Sequence, residues 1–390
     1  MLIFVALGYP AVFWMRRTPV WGLAASLVLT IATFVILKRF SFLDGWLELP
    51  YAYLTMGFSY FLFRLIHLMV DAQAGELTAA ISPLRYFNYS CNFLCFVSGP
   101  IQRYQEFAVT ADQPVALDQG QVFRAFSRVV AGFVKVVVLS AALNYFFGQL
   151  SPTLLSSEAL TGAKFVASFS AAAVLYTFYL YFNFSGYMDI VIGAGSLLGQ
   201  TLPENFRQPF AARNFLDFWT RWHITLSEWF RTYLFNPLLK ALARRFQSAA
   251  VMPWLGVLAF FITFLVMGLW HGTTPVFVVY GLLLGFGAGA NKLWQLAMTR
   301  RLGKAGYRAL AERAAYRIVC RGATFAYFAL ALVCLWVDLA QLGGLLRPGY
   351  TETNMLKVFD ERFLAQQRAK SPFQTPQDVA AQILAEIFRT

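Results

Sequence analysis

The chain has 390 residues, of which 58% are hydrophobic, 17% aromatic and only 13% charged. A water-soluble domain of this size carries about 25% charged and about 45–50% apolar residues, so a soluble globular protein is excluded and the surplus apolar surface must face lipid. The net charge of +13 comes without the motif context of a nucleic-acid module; it reads as positive-inside bias and attraction to anionic membrane lipid, with no nucleic acid as partner.

A spanning helix needs about 20 mainly apolar residues. In chain order, Thr18–Leu37, Val136–Ser157 and Phe165–Met188 contain no Asp, Glu, Lys or Arg. Phe246–Asn291 is long enough for two passes and is interrupted only by His271 and the turn residues beside it. Shorter apolar runs lie at Met1–Met15, Leu49–Phe63, Tyr86–Gln102, Ile190–Leu202 and Gly322–Val337. Each fits a tilted span, a re-entrant piece or a helix buried in a bundle. Together they predict an all-α integral membrane protein with about nine or ten crossings, as one membrane domain over 1–346. The polar remainder, 347–390, is expected to be a tail with a short amphipathic helix near Val379–Phe388. No basic segment precedes the first apolar run, so no cleavable leader is expected.

Three basic regions read as loops: Arg103–Lys135, Glu204–Arg245 and Lys292–Arg321. The last sets Lys292, Arg300, Arg301, Lys304, Arg308, Arg313, Arg317 and Arg321 against Glu312 alone, a bias that assigns it to the cytoplasm. His271 then belongs deep in the membrane or toward its outer face. Gly281, Gly285, Gly287 and Gly289 read as close helix packing. Cys91, Cys95, Cys320 and Cys334 read as small buried residues, and no metal site is expected.

The chain has three histidines. Histidine suits proton transfer near neutrality, and an ionisable side chain inside a membrane is costly enough to be a functional candidate. His271, in Met267-Gly-Leu-Trp-His-Gly-Thr-Thr-Pro275, stands at a helix break flanked by glycines that admit close approach; the bland alternative is a ring bonded to a carbonyl. His223 follows Asn214-Phe-Leu-Asp-Phe-Trp-Thr-Arg-Trp222. At 100° per residue Phe215, Phe218, Trp219, Trp222, Leu226, Trp229, Phe230 and Tyr233 fall on one stripe and Asp217, Arg221, Glu228 and Arg231 opposite it. This predicts one interfacial helix over Asn214–Leu234 with His223 at the stripe's edge, as a functional group or as an incidental part of an anchor. Phe182-Asn-Phe-Ser-Gly-Tyr-Met-Asp189 brings Asn183, Ser185, Tyr187 and Asp189 to a helix end or break, where Asp189 could orient a histidine, bind a cation or cap a helix. Ser98-Gly-Pro-Ile-Gln-Arg-Tyr104 reads as a turn with Arg103 as a phosphate anchor. His67 reads as a helix-end residue.

Taken together, Ser98–Arg103, Phe184–Asp189, Glu204–Phe210, Phe218–His223 and Gly268–Gly272 resemble the membrane-bound O-acyltransferase family, in its bacterial polysaccharide O-acetylase and D-alanyl transferase branch. The two histidines lie 271 − 223 = 48 residues apart, a spacing similar to that family's. The resemblance implies a ring of tilted, interfacial and re-entrant helices around a central funnel in the bacterial cytoplasmic membrane. It also implies His271 and His223 as catalytic residues, with Asp189, Asn183, Ser185, Tyr187, Trp270, Trp219, Arg221 and Arg103 supporting or binding substrate. Arg213 joins Arg103 and Arg221 as a contact for donor phosphates or an acidic carrier. The implied reaction moves an acetyl or D-alanyl group from a thioester to a hydroxyl of an envelope polymer. Acetyl-CoA or an acyl carrier protein would be co-substrate, without a tightly bound cofactor, a glycan or teichoic-acid-like polymer the acceptor, and extracytoplasmic accessory proteins further partners. A catalytically inactive scaffold and a transporter are the rival classes; no inverted repeat supports the latter.

Overall fold

In the computed structural model, residues 2–38, 40–41, 57–77, 80–111, 117–155, 163–248, 250–339 and 341–342 are described. The expected tail helix and the Leu49–Met56 part of one apolar run lie outside them. The described residues are mostly helical, with no strand among them and one isolated antiparallel bridge, Phe206–Trp222. The first five helices are α1 (Leu2–Met15), α2 (Val20–Lys38), α3 (Phe58–Gln73), α4 (Pro83–Ser90) and α5 (Tyr104–Ala111). Next come α6 (Gln119–Phe133), α7 (Ala141–Leu155) and α8 (Ala163–Leu197), with a π-helical stretch, Val134–Ser140, joining α6 to α7. The short α9 (Phe215–Trp219) and α10 (Ile224–Phe230) precede a π-helical turn, Arg231–Phe235, and α11 (Asn236–Arg245). The series closes with α12 (Met252–His271), α13 (Val276–Glu312, kinked at Gly303) and α14 (Ala314–Leu332).

Among the described residues six helical stretches are long and apolar enough to cross a membrane: α2, α6 through α7, α8, α12, α13 and α14 with the turn after it. The expectation of nine or ten counted shorter runs as well. Of these, Met1–Met15 becomes a helix of only 14 residues, and Tyr86–Gln102 folds as the end of α4 followed by irregular chain. Ile190–Leu202 is the last part of α8 and a loop. The basic regions are not loops either. Lys292–Arg321 continues α13 and begins α14, and α5, α6 and α11 occupy much of the other two; their Ala, Leu, Lys and Arg content favours helix.

The chain divides into two compact units. The first comprises residues 1–125 and 191–324. Here α1 and α2 pack on α3, which is buried on almost every side and carries Arg64, His67 and Asp71 into the interior. Val5, Val12, Phe61, Leu65, Leu68 and Tyr86 share that core. Arg64 is held by the carbonyls of Tyr89 and Ser90 at 3.0 and 2.9 Å. In the same unit α12 and α13 form a hairpin whose backbones touch at glycines. A Cβ on Gly281 would lie 2.8 Å from the Phe264 carbonyl oxygen, and one on Gly268 2.5 Å from that of Phe277. Gly285 and Gly289 face Phe261 and Val257, as their spacing predicts.

The second unit comprises residues 126–190 and 325–390. Its helices α6 and α8 cross with Gly132 against Gly186, each leaving less than 3 Å for a Cβ before the other's carbonyl oxygen. Val333, Trp336 and Val337 build its aromatic core with Phe147, Phe169 and Tyr176.

Gly281→Leu should therefore overpack the hairpin and cost about 1–3 kcal/mol, read as a lower Tm in detergent. Gly256→Ala, on the same hairpin with open space around it, should leave Tm unchanged or slightly higher; equal Tm values for both variants would contradict this packing.

Candidate active site

Three of the motif segments converge on one buried amide. Asn205, fully buried, offers its side-chain oxygen to three donors: His223 Nδ1 at 3.2 Å, the Thr225 backbone N–H at 3.1 Å and the Thr225 hydroxyl at 2.9 Å. The Thr225 hydroxyl oxygen in turn accepts the Ile101 N–H at 3.0 Å. The backbones agree with this pairing, because Ile224 N–H donates to the Asn205 carbonyl and Arg207 N–H to that of Arg221. The Ser98–Tyr104 turn, the Glu204–Phe210 segment and the Phe218–His223 segment thus meet at His223.

The single helix expected over Asn214–Leu234 is broken at this point. Asn214 caps α9 through its side chain at the Asp217 N–H, and α9 ends at Trp219. His223 then takes a left-handed conformation (φ 43°, ψ 55°) and starts α10. A non-glycine residue there is strained and persists only where its surroundings fix it; Asn205 and the bridge Phe206–Trp222 do so. The aromatic period runs across the break, which is why the sequence reads as continuous. His223 is nearly fully buried. Burial, reinforced by the nearby charge of His271, pushes its ring well below the ordinary histidine pKa. Since Nδ1 must donate to an oxygen that already accepts from an amide N–H, the neutral ring carries its proton on Nδ1. Nε2 is then the acceptor nitrogen.

His271 is the last residue of α12 and is exposed. Its ring lies edge-on to Trp270 at 4.7 Å and to Tyr280 at 5.6 Å between centroids. Gly272 leaves the helix extended, and a Cβ there would run into the Phe277 ring. So one histidine is enclosed with a fixed tautomer, while the other stands exposed at a helix end.

Residues from α2 onward complete the turn, and the sequence does not single them out. Lys38 Nζ donates to the carbonyls of Leu269, at 3.4 Å, and Trp270. The Ser41 N–H and hydroxyl both donate to the Thr273 carbonyl, at 3.0 and 3.1 Å. Trp270 packs on Tyr60 and Phe63 of α3. Trp219 is buried against Phe264 and Phe218.

Several of the other predicted site residues are engaged in contacts of their own. Arg221 and Arg213 both pair with Asp217, at 3.3 and 3.4 Å. Burial works to raise that carboxyl, but the Arg213 N–H and the Arg221 guanidinium outweigh it and hold Asp217 below the usual carboxylate range. Arg103 bridges Asp71 at 2.9 Å and Glu76 at 2.8 Å and lies over the Tyr233 ring, so its charge is matched within the fold. His67 is not at a helix end. It is enclosed in the middle of α3, with Nε2 2.8 Å from the Tyr89 hydroxyl, stacked on Tyr233.

Asn183, Ser185, Tyr187 and Asp189 are likewise not at a helix end or break, because α8 runs unbroken from Ala163 to Leu197. The chain tolerates Asp189 inside a spanning helix because Arg128 Nε at 3.0 Å and Lys135 Nζ at 2.5 Å neutralise it. Both come from α6 and the π-helical stretch across the Gly132–Gly186 contact. Ser185 is buried beside it. Cys91 and Cys95 are free thiols, half-buried and buried.

The model of the membrane-bound O-acyltransferase (MBOAT) family matches residues 2–333. The chain belongs to this family. It is 28% identical over 229 residues to the teichoic acid D-alanyltransferase of Bacillus subtilis, covering 58% of this chain and 56% of that one. It is 30% identical over 260 residues to the probable alginate O-acetylase AlgI of Pseudomonas aeruginosa, covering 65% and 44%. It is 31% identical over 223 residues to the peptidoglycan O-acetyltransferase of Helicobacter pylori, covering 55% and 38%. The chain thus spans about half the length, or less, of the curated relatives it matches.

Asp189→Asn would remove the carboxylate that Arg128 and Lys135 share. It should destabilise the protein by about 3 kcal/mol or more, visible as loss of monodisperse protein on extraction; an unchanged thermal profile would show the triad to be dispensable. A buried neutral His223 also predicts a pH effect. The unfolded ring protonates below its ordinary pKa of 6.5 while the folded ring does not. The stability it contributes is therefore present above that pH and lost as pH falls. Histidine ring NMR should show His223 unmoved between about pH 8 and about pH 6; a midpoint near 6.5 would mean a solvated ring.

Proposed function

We propose that the protein is an O-acyltransferase of the bacterial cytoplasmic membrane, moving an acetyl or D-alanyl group from a thioester to a hydroxyl of an extracytoplasmic envelope polymer. The observation that carries this reading is the pairing of an open histidine, His271, with an enclosed one, His223, whose tautomer is fixed by Asn205. The names of the relatives supply the polymer class: teichoic acid, alginate and peptidoglycan.

The chemistry needs little beyond positioning and one base, since a thioester is already reactive. His271 takes the proton of the acceptor hydroxyl as its oxygen attacks the thioester carbonyl. The tetrahedral intermediate collapses with loss of the thiolate, and the proton returns from His271 to sulfur. His223, with Nε2 as its acceptor nitrogen, suits holding a substrate hydroxyl other than the one His271 deprotonates, by accepting its hydrogen bond. A donor's part toward the oxyanion would need the opposite tautomer. The donor enters from the cytoplasmic side as acetyl-CoA or a D-alanyl carrier protein, drawn by the basic stretches of α11 and α13, and the acceptor comes from the outer side.

Purified protein given radiolabelled acetyl-CoA or D-alanyl carrier protein, with glycan and teichoic-acid acceptors, should transfer label from one donor and so identify the branch. His271→Ala should lower transfer by about 10²–10⁴-fold without loss of the folded protein. Full transfer by a folded His271→Ala protein would refute the assignment. Flux of the acceptor across liposomes without acylation would favour a transporter.

A further inference from the structure

We propose that Lys38 is a positioning residue for His271, the cap that holds the end of α12 and with it the angle of the histidine ring. The inference rests on the acyltransferase reading for its kinetic consequence only; the geometry stands by itself.

A helix leaves its last carbonyls without intrahelical donors. The usual remedy is a left-handed glycine just past the end, whose own chain folds back to supply them. The end of α12 lacks this remedy although a glycine stands in the right place, because Gly272 is extended at φ −154° and ψ 171°. The next residues lead straight to α13, and no water from a bilayer core can serve the exposed carbonyls. Lys38 serves them from more than 200 residues away, donating to Leu269 and Trp270. A cation at a helix C-terminus is also favoured by the helix dipole.

Lys38 is also out of character for its place. A lysine ending a spanning helix normally extends toward the aqueous interface. This one turns to another helix and lies over the rings of Phe34, Phe40 and Trp270, at 5.3, 5.6 and 5.9 Å from their centroids. Among the described residues no carboxylate stands within ion-pair distance of it, and its partners there are carbonyl oxygens and ring faces. An ammonium in that setting is costly; the group it holds is the turn that carries His271. Ser41, three residues on, fixes the far side of the same turn at Thr273. The turn is thus gripped on both sides of His271 by Lys38, the last residue of α2, and by Ser41 beyond it.

The protein has only three histidines, so the ring resonances of histidine-labelled protein report the effect directly, whatever its activity. In Lys38→Met the His271 ring signals should shift or broaden, with those of His67 and His223 in place. The acyl-transfer kcat should fall about 10- to 100-fold with donor KM changed by less than about threefold. Lys38→Arg, which keeps donors and charge, should restore both. Should Lys38→Met not fold, Lys38→Gln gives the same test, with a smaller shift in the same direction. An unmoved His271 signal in either variant, or Lys38→Arg as impaired as Lys38→Met, overturns the proposal. A wild type without transferase activity, together with the expected ring shift in Lys38→Met, would sink the function and leave the positioning role standing.

Discussion

Breaking a helix in an apolar medium exposes backbone N–H and C=O groups that lipid cannot satisfy, and the first unit of this protein breaks its helices at both candidate histidines. Everything distinctive about that unit follows from how the breaks are repaired. At His223 the repair is an amide: Asn205 accepts from the ring, the Thr225 backbone and the Thr225 hydroxyl, and the Thr225 oxygen takes the Ile101 N–H. After His271 the repair comes from Lys38 and Ser41. In both cases the donor or acceptor lies far away in sequence. The local strain of a left-handed histidine or an uncapped helix end is therefore maintained by tertiary structure rather than by local preference.

The same requirement shapes the second unit differently. There the polar group sits inside an unbroken helix, so what must be repaired is charge and not backbone. Asp189 would be expensive within α8 were it not for Arg128 and Lys135. Those two reach it because Gly132 and Gly186 let the helices touch. On each helix the charged residues stand three or four positions from the contact glycine, the spacing that puts them on the same face. Close backbone approach and charge neutralisation are one arrangement, and neither glycine could gain a side chain without pushing the ion pairs apart.

Much of this was legible in the sequence, and what escaped did so for physical reasons. His271 and His223 stand out because ionisable residues are scarce in apolar runs, and Gly281, Gly285, Gly287 and Gly289 because glycines crowd one apolar pass, of which Gly281, Gly285 and Gly289 meet α12. The break at His223 left no trace: no glycine or proline signals it, and the aromatic period continues through Trp219, Trp222 and Leu226. The continuity of α8 was hidden by Asp189, which looks like a boundary until its partners, more than 50 residues earlier, are known. Asn205 lay inside a motif that carried the family resemblance, yet an asparagine in a loop gives no sign that it will orient a histidine. Lys38 looks like any lysine that closes a spanning helix.

The contrast between the two histidines is what gives the site a direction. A ring that is enclosed and bonded through Nδ1 offers one lone pair at a fixed angle. A ring at the end of a helix, flanked by Gly272 and edged by Trp270 and Tyr280, can meet a substrate. With one of each, His271 can take the proton of the acceptor hydroxyl while the Nε2 lone pair of His223 accepts a hydrogen bond from a different substrate hydroxyl. The enclosed His223 ring costs stability at low pH. The difference between the two rings follows from the different repairs at the two breaks: a buried amide on one side, and on the other the lysine that ends α2 with a serine just beyond it.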